Sequence, residues 1–155
     1  MELAGETDLC AVAAEEPATV LFTGMYKKEN LVGKPPYTSA AGNHIMKDPR
    51  RYYTPEMQEM TRAKIAKIHC PVFIAHGDVH IIKKLNMEIF IPELKEAGKN
   101  VEVIVYPNQK HGFTRSGPAE AAKKFAEDCD RFYKRHLATQ PKALDGSLVK
   151  QAPAP

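Results

Sequence analysis

Two short loops carry residues that could do chemistry together. "HGDVH" (76–80) holds two histidines and a carboxylate, and "NQKHGF" (108–113) sets a third histidine directly before a glycine. A carboxylate on the first loop, Asp78, within reach of His111 on the second would fix the imidazole tautomer and raise its basicity. Together they would form the acid and base of a nucleophile–base–acid triad, in the chain order acid then histidine. A second chemistry uses the same loops. His76 and His80 stand four residues apart, and with His111 and Asp78 they offer imidazole and carboxylate ligands suited to zinc or iron. His44, His69 and His136 call for a structural reading only. His69 precedes an apolar run, and His136 lies near a helix C-terminus, where a cationic ring is favoured.

The elements that must position these loops are legible as alternating strand and helix patterns. "ATVLFTG" (18–24), "CPVFIAHG" (70–77) and "VEVIVYP" (101–107) are short apolar runs closed by Gly or Pro, as expected of parallel strands covered on both faces. The second and third runs end at the two loops. Thr54 followed by Pro55 predicts a capped helix with Met57, Met60 and Lys64 on one face. Met87, Phe90, Ile91 and Leu94 repeat at helical spacing up to Gly98, with Pro92 demanding a kink or a late helix start. Pro118 opens the last helix, whose apolar stripe is Ala122, Phe125, Cys129, Phe132 and His136. "DLCAVAAEE" near the start reads as helical, residues 25 to 53 as a long surface excursion, and the Pro- and Ala-rich stretch from Gln140 as a flexible tail. The expected division is thus one domain over 1–139 and a tail over 140–155.

Alternation of this kind predicts an α/β fold with about three parallel strands and flanking helices. Three strands make a thin sheet whose edges stay open to pairing, so the chain is expected to be part of something larger or an oligomer. The 155 residues, 43% of them hydrophobic and 26% charged, fit one globular domain. A net charge of +3, with both signs mixed along "KKFAEDCDRFYKRH", argues against nucleic acid as a partner. No apolar run approaches the ~20 residues of a membrane helix. The start, "MELAGETDLC", lacks the basic flank and apolar core of a secretion signal. Three cysteines, Cys10, Cys70 and Cys129, form no CxxC pair, so the expectation is a reducing, cytoplasmic setting without a disulfide or zinc framework.

"IHCPVFIAHGDVH", "AGKNVEVIVYPNQKHGF" and "FYKRHL" together resemble the C-terminal half of an α/β-hydrolase, most similar to the dienelactone hydrolase and prolyl-oligopeptidase-like esterases. "DPRRYYTPEM" resembles the segment before the acid-bearing strand of those enzymes. The likeness covers residues 48 to 137, and more loosely 10 to 26. It implies that His111 is the catalytic base and that the substrate is a small-molecule ester, lactone or peptide, with no cofactor or metal. The family's acid position, three residues after Gly77, is held by His80, leaving Asp78 as the substitute carboxylate. The "HG" pattern of the family also accounts for His76.

The family's nucleophile sits in a G-x-S-x-G elbow, and the chain contains none. Glu2 falls near the place of the missing serine. Ser39, Ser116, Ser147 and Cys10 lack the setting of an activated nucleophile. Lys83 and Lys84 read as a solvated helix start. The expected function is therefore a hydrolase-family domain that is catalytically incomplete as this chain. The alternative is a non-catalytic binding or scaffolding module of the same fold, which His80 at the acid position favours.

Overall fold

The computed structural model describes residues 9–33 and 39–137. Three parallel strands form one sheet in the order β1 (Val12–Glu15), β2 (Val72–Gly77), β3 (Val101–Tyr106). β1 runs in register Val12↔Val72 to Glu15↔Ala75, and β2 in register Val72↔Val101 to Gly77↔Tyr106. β2 is buried along its whole length, as its continuous apolar run requires.

The first strand is not where the sequence suggested. "ATVLFTG" forms a short helix, α1 (Thr19–Phe22), and the pairing strand is Val12–Glu15, inside the stretch expected to be helical. Two local features explain the exchange. Thr23 donates both its N–H and its hydroxyl to the Thr19 carbonyl, at 2.8 Å each, and so closes the turn of α1. The small residues Ala11 and Ala13 pack against the aromatic layer around Phe73 and Phe132, where the ladder to β2 overrides alanine's helix preference. The 25–53 excursion is also more than surface: Met25 and Ile45 are fully buried, in a cluster with Val20, Met57, Leu85 and Ile89. Two short helices lie within it, α2 (Asn43–Lys47) and α3 (Pro49–Tyr52).

The remaining helices follow their cues. α4 (Pro55–Ala66) starts with Pro55, and the Thr54 hydroxyl accepts from Met57 N–H at 3.3 Å. α5 (Ile82–Leu85) leads into a single π turn, Asn86–Phe90, before α6 (Ile91–Glu96). Pro92 follows the π turn in a backbone that stays helical from Ile82 to Glu96, so the expected kink or late start is met instead by a widened turn beside the proline. α7 (Phe113–Ser116) and the long α8 (Ala119–Leu137) close the fold.

Both sheet faces are covered. Val72 and Ile74 pack under α4 and α6 through Ile65, Phe90, Ile91 and Leu94. Phe73 and Ala75 on the opposite face meet Phe113, Phe125 and Phe132. Cys129 joins this second layer, and burial pushes its thiol pKa up, as befits packing rather than reactivity. The expected tail, Ser147 and Glu2 lie outside the described residues.

Candidate functional site

The C-terminal ends of the three strands converge, and each contributes one side chain. β1 ends in the sequence Glu15-Glu16-Pro17. Glu16 takes a left-handed backbone conformation, φ +43°, which costs a non-glycine residue about 1 kcal/mol. The segment after it is held by Asn86 of the π turn. The Asn86 amide donates to the Pro17 carbonyl at 3.1 Å, and its oxygen accepts from the Thr19 hydroxyl. Asn86 is fully buried, so its bond to Thr19 forms away from competing water, and the bond to Pro17 is partly shielded.

Held this way, the Glu16 side chain is buried and lies between the other two strand ends. Its Oε1 accepts from Gly77 N–H at 3.0 Å, and its Oε2 accepts from Gly112 N–H at 3.2 Å. The same Oε2 stands 2.5 Å from Nδ1 of His111, whose ring is half-exposed. Two glycines make this convergence sterically possible. A Cβ on Gly77 would stand 2.4 Å from the Gln109 carbonyl oxygen, so only glycine lets the two loops approach so closely. Gly112 has φ +71°, a conformation that glycine takes without strain.

His80 stacks on His111, with ring centroids 4.4 Å apart and planes 27° from parallel. Burial lowers the His80 pKa, and the neighbouring His111 lowers it further. His76 sits at the end of β2, fully buried, and neither ring nitrogen has a hydrogen-bond partner. Burial pushes its pKa down to about 4, with Lys83 and His80 adding to the shift, so the ring is neutral at pH 7.

The carboxylate beside His111 is thus Glu16, whereas the sequence directed attention to Asp78. Asp78 uses its backbone to bridge the strands: its N–H donates to the Tyr106 carbonyl at 3.1 Å, and its own carbonyl accepts from Lys83 Nζ at 2.8 Å. Its Oδ1 is buried without a partner. Lys83 is accordingly tied to the loop rather than solvated. The metal-type grouping also differs from the one the sequence offered. Glu16, His80 and His111 bring ligand atoms within 4.8 Å of one another, and His76 and Asp78 are not in the group. Glu16 escaped notice because nothing in "EEPATV" marks it; the only cue is a carboxylate pair closed by proline after an alanine-rich run.

A cavity of about 500 Å³ opens beside these residues. Glu16, Asn43, His80 and His111 give its polar lining, and Tyr26 joins Ala18, Val20, Leu21, Met46, Ile81 and Ile82 in a mostly apolar remainder. No Lys or Arg lines it. Of the side chains weighed as nucleophiles, Cys10 is exposed and Ser116 donates to the Gly112 carbonyl at 3.1 Å. Ser39 begins a 3₁₀ turn, and its side chain is not described.

Parallel strands delivering a histidine and a carboxylate to one end of a covered sheet define an α/β-hydrolase fold. The acylaminoacyl peptidase of Pyrococcus horikoshii shares it: the two superpose with a TM-score of 0.58 at 16% identity over 96% of this chain and 24% of that one. This chain thus spans about a quarter of that structure's length. The model of the dienelactone hydrolase family matches residues 32–139, more than half of the chain, and the chain belongs to that family. No curated protein matches it. The family match includes both histidine loops but not Glu16. Among the described residues no helix is long and apolar enough to cross a membrane.

Proposed function

We propose that this chain supplies the base and acid of an acyl-hydrolysing site, with His111 as base and Glu16 as the carboxylate that orients it. The observation that carries this reading is the 2.5 Å contact between Glu16 Oε2 and His111 Nδ1, on a carboxylate held by two backbone N–H groups. Nδ1 is engaged, so Nε2 remains to take a proton from a nucleophile and return it to the leaving group. Asp78, two residues from the family's acid position, is not needed for that role. The substrate is a neutral ester or lactone with an apolar acyl or alkyl group. The cavity wall is mostly apolar, and no cation lines it to hold an anionic substrate.

The nucleophile comes from a polypeptide that pairs with the outer edge of β1, which meets no other strand among the described residues. That strand stands at one end of the sheet order, and an incoming strand would replace the Tyr133 hydroxyl that now accepts from the outward Ala13 N–H at 3.2 Å. The partner is either an N-terminal half of the fold or a second copy of the chain.

Intact-mass analysis after treatment with a fluorophosphonate probe tests this. The chain alone is expected to stay unlabelled while remaining folded by circular dichroism. A single adduct that vanishes in His111→Ala would place an activated nucleophile within the chain and refute the incomplete site. A second reading, a non-catalytic binding module, draws on His80 standing at the family's acid position. It predicts that apolar esters bind in the cavity and that His111→Ala does not change their affinity.

A further inference from the structure

A Glu–His pair needs no second imidazole, yet His80 stacks directly on His111 at the mouth of the cavity. The geometry points to a divalent transition-metal site formed by Glu16, His80 and His111, with a donor set that zinc fits. The same side chains form the proposed hydrolytic site, and a bound cation replaces the Glu16–His111 hydrogen bond, so the metal-bound and hydrolytic states exclude each other.

The donor set is two imidazoles and one carboxylate, the combination that suits borderline cations such as Zn²⁺, Co²⁺ and Fe²⁺. One ligand atom from each residue lies within 4.8 Å of the other two. Tetrahedral zinc with bonds of about 2.0–2.1 Å separates its ligand atoms by about 3.3 Å. The widest gap must therefore close by no more than about 1.5 Å, and the 2.5 Å Glu16–His111 contact must open by less than 1 Å. His111 is half-exposed and His80 partly so, which leaves room for both rings to turn once their stacking and the Glu16 contact are given up. His80 gives up little in doing so: its Nδ1 accepts only a long 3.4 Å contact from Ile82 N–H.

The carboxylate needs no rearrangement of its own. Gly77 and Gly112 N–H groups already fix both Glu16 oxygens, the outer hydrogen bonding that orients a metal ligand. Three protein ligands leave a fourth position, and the adjoining 500 Å³ cavity is where it opens.

Calorimetric titration of the purified chain with Zn²⁺ tests the site, in a Cys10→Ser background because that exposed thiol would also bind zinc. One Zn²⁺ per chain is expected, with affinity reduced at least ~10-fold in His80→Phe, which keeps an aromatic ring on His111, and unchanged in Asp78→Asn. Because His80→Phe could disturb the fold, the same chain with His80 intact is also followed by histidine ring NMR during Co²⁺ addition. Paramagnetic shifts on His80 and His111, with none on His69 or His136, are required. Absence of stoichiometric binding, equal affinity in His80→Phe, or shifts confined to other histidines would overturn the site. Each of those results leaves the Glu16–His111 contact untouched, so the hydrolytic reading would stand or fall separately.

Discussion

His76 provides the clearest link between burial and pH. Its ring is wholly buried at the end of β2, and both nitrogens lack partners. Burial holds its folded-state pKa at about 4, against an ordinary 6.5 in the unfolded chain. Between those values the unfolded state binds the extra proton, so stability falls as the solution is acidified. Stability from this residue is fully present above pH ~6.5 and is lost progressively down to pH ~4. With 1.36 kcal/mol per pH unit, the loss reaches about 3 kcal/mol. His76→Leu removes the proton-binding group and two unsatisfied polar atoms while roughly conserving volume. Urea unfolding of both proteins from pH 7 to pH 4 is the assay. The variant should be as stable as the parent or more so at pH 7, and more stable by about 3 kcal/mol further at pH 4. A difference that stays constant across that range would refute the reasoning, since it would mean that His76 finds a partner or water when protonated.

Other perturbations follow from the same contacts. Glu16→Gln keeps the shape but turns an amide donor toward a backbone N–H or the imidazole. Thermal unfolding should show a loss of about 2–4 kcal/mol from the charged hydrogen bond and the orphaned donor. Asn86→Ala frees the partly buried Pro17 carbonyl and the buried Thr19 hydroxyl. It should cost about 2–4 kcal/mol and raise hydrogen exchange in residues 16–20. Gly77→Ala meets the Gln109 carbonyl oxygen at 2.4 Å; a loss of about 1–3 kcal/mol in denaturant unfolding is expected. Tyr106→Phe removes the hydroxyl that donates to buried Asp128 at 2.6 Å. About 1–3 kcal/mol should be lost, with Lys124 and Arg131 still partnering the carboxylate. Tyr106 itself stays protonated, since burial and then Asp128 push its pKa well above the ordinary phenol value.

The legible parts of the fold were those whose local chemistry admits one outcome. β2 and β3 are short runs rich in Val and Ile and closed by Gly and Pro, and α4 announces itself through Thr54 and Pro55. The loops they carry, and hence His111, were placed by those strands. β1 is hidden because Val12, Ala13, Ala14 and Glu15 together lean towards helix, and only their pairing with Val72–Ala75 makes them a strand. The same error hid Glu16. With "ATVLFTG" taken as the strand, the residues before it seemed to lie on a helix far from the histidine loops. Their approach depends on a left-handed glutamate and on an asparagine 70 residues later, at position 86, neither of which has a sequence signature. The stacking of His80 on His111 is likewise a consequence of two loops meeting over Gly77.

The central claim is that Glu16, rather than the carboxylate on the HGDVH loop, holds the His111 imidazole. Proton NMR of the hydrogen-bonded imidazole N–H tests it directly, with the resonance assigned by its loss in His111→Gln. A downfield signal should persist in Asp78→Asn and vanish or move strongly upfield in Glu16→Gln. The reverse pattern, loss in Asp78→Asn with Glu16→Gln unchanged, would contradict the account.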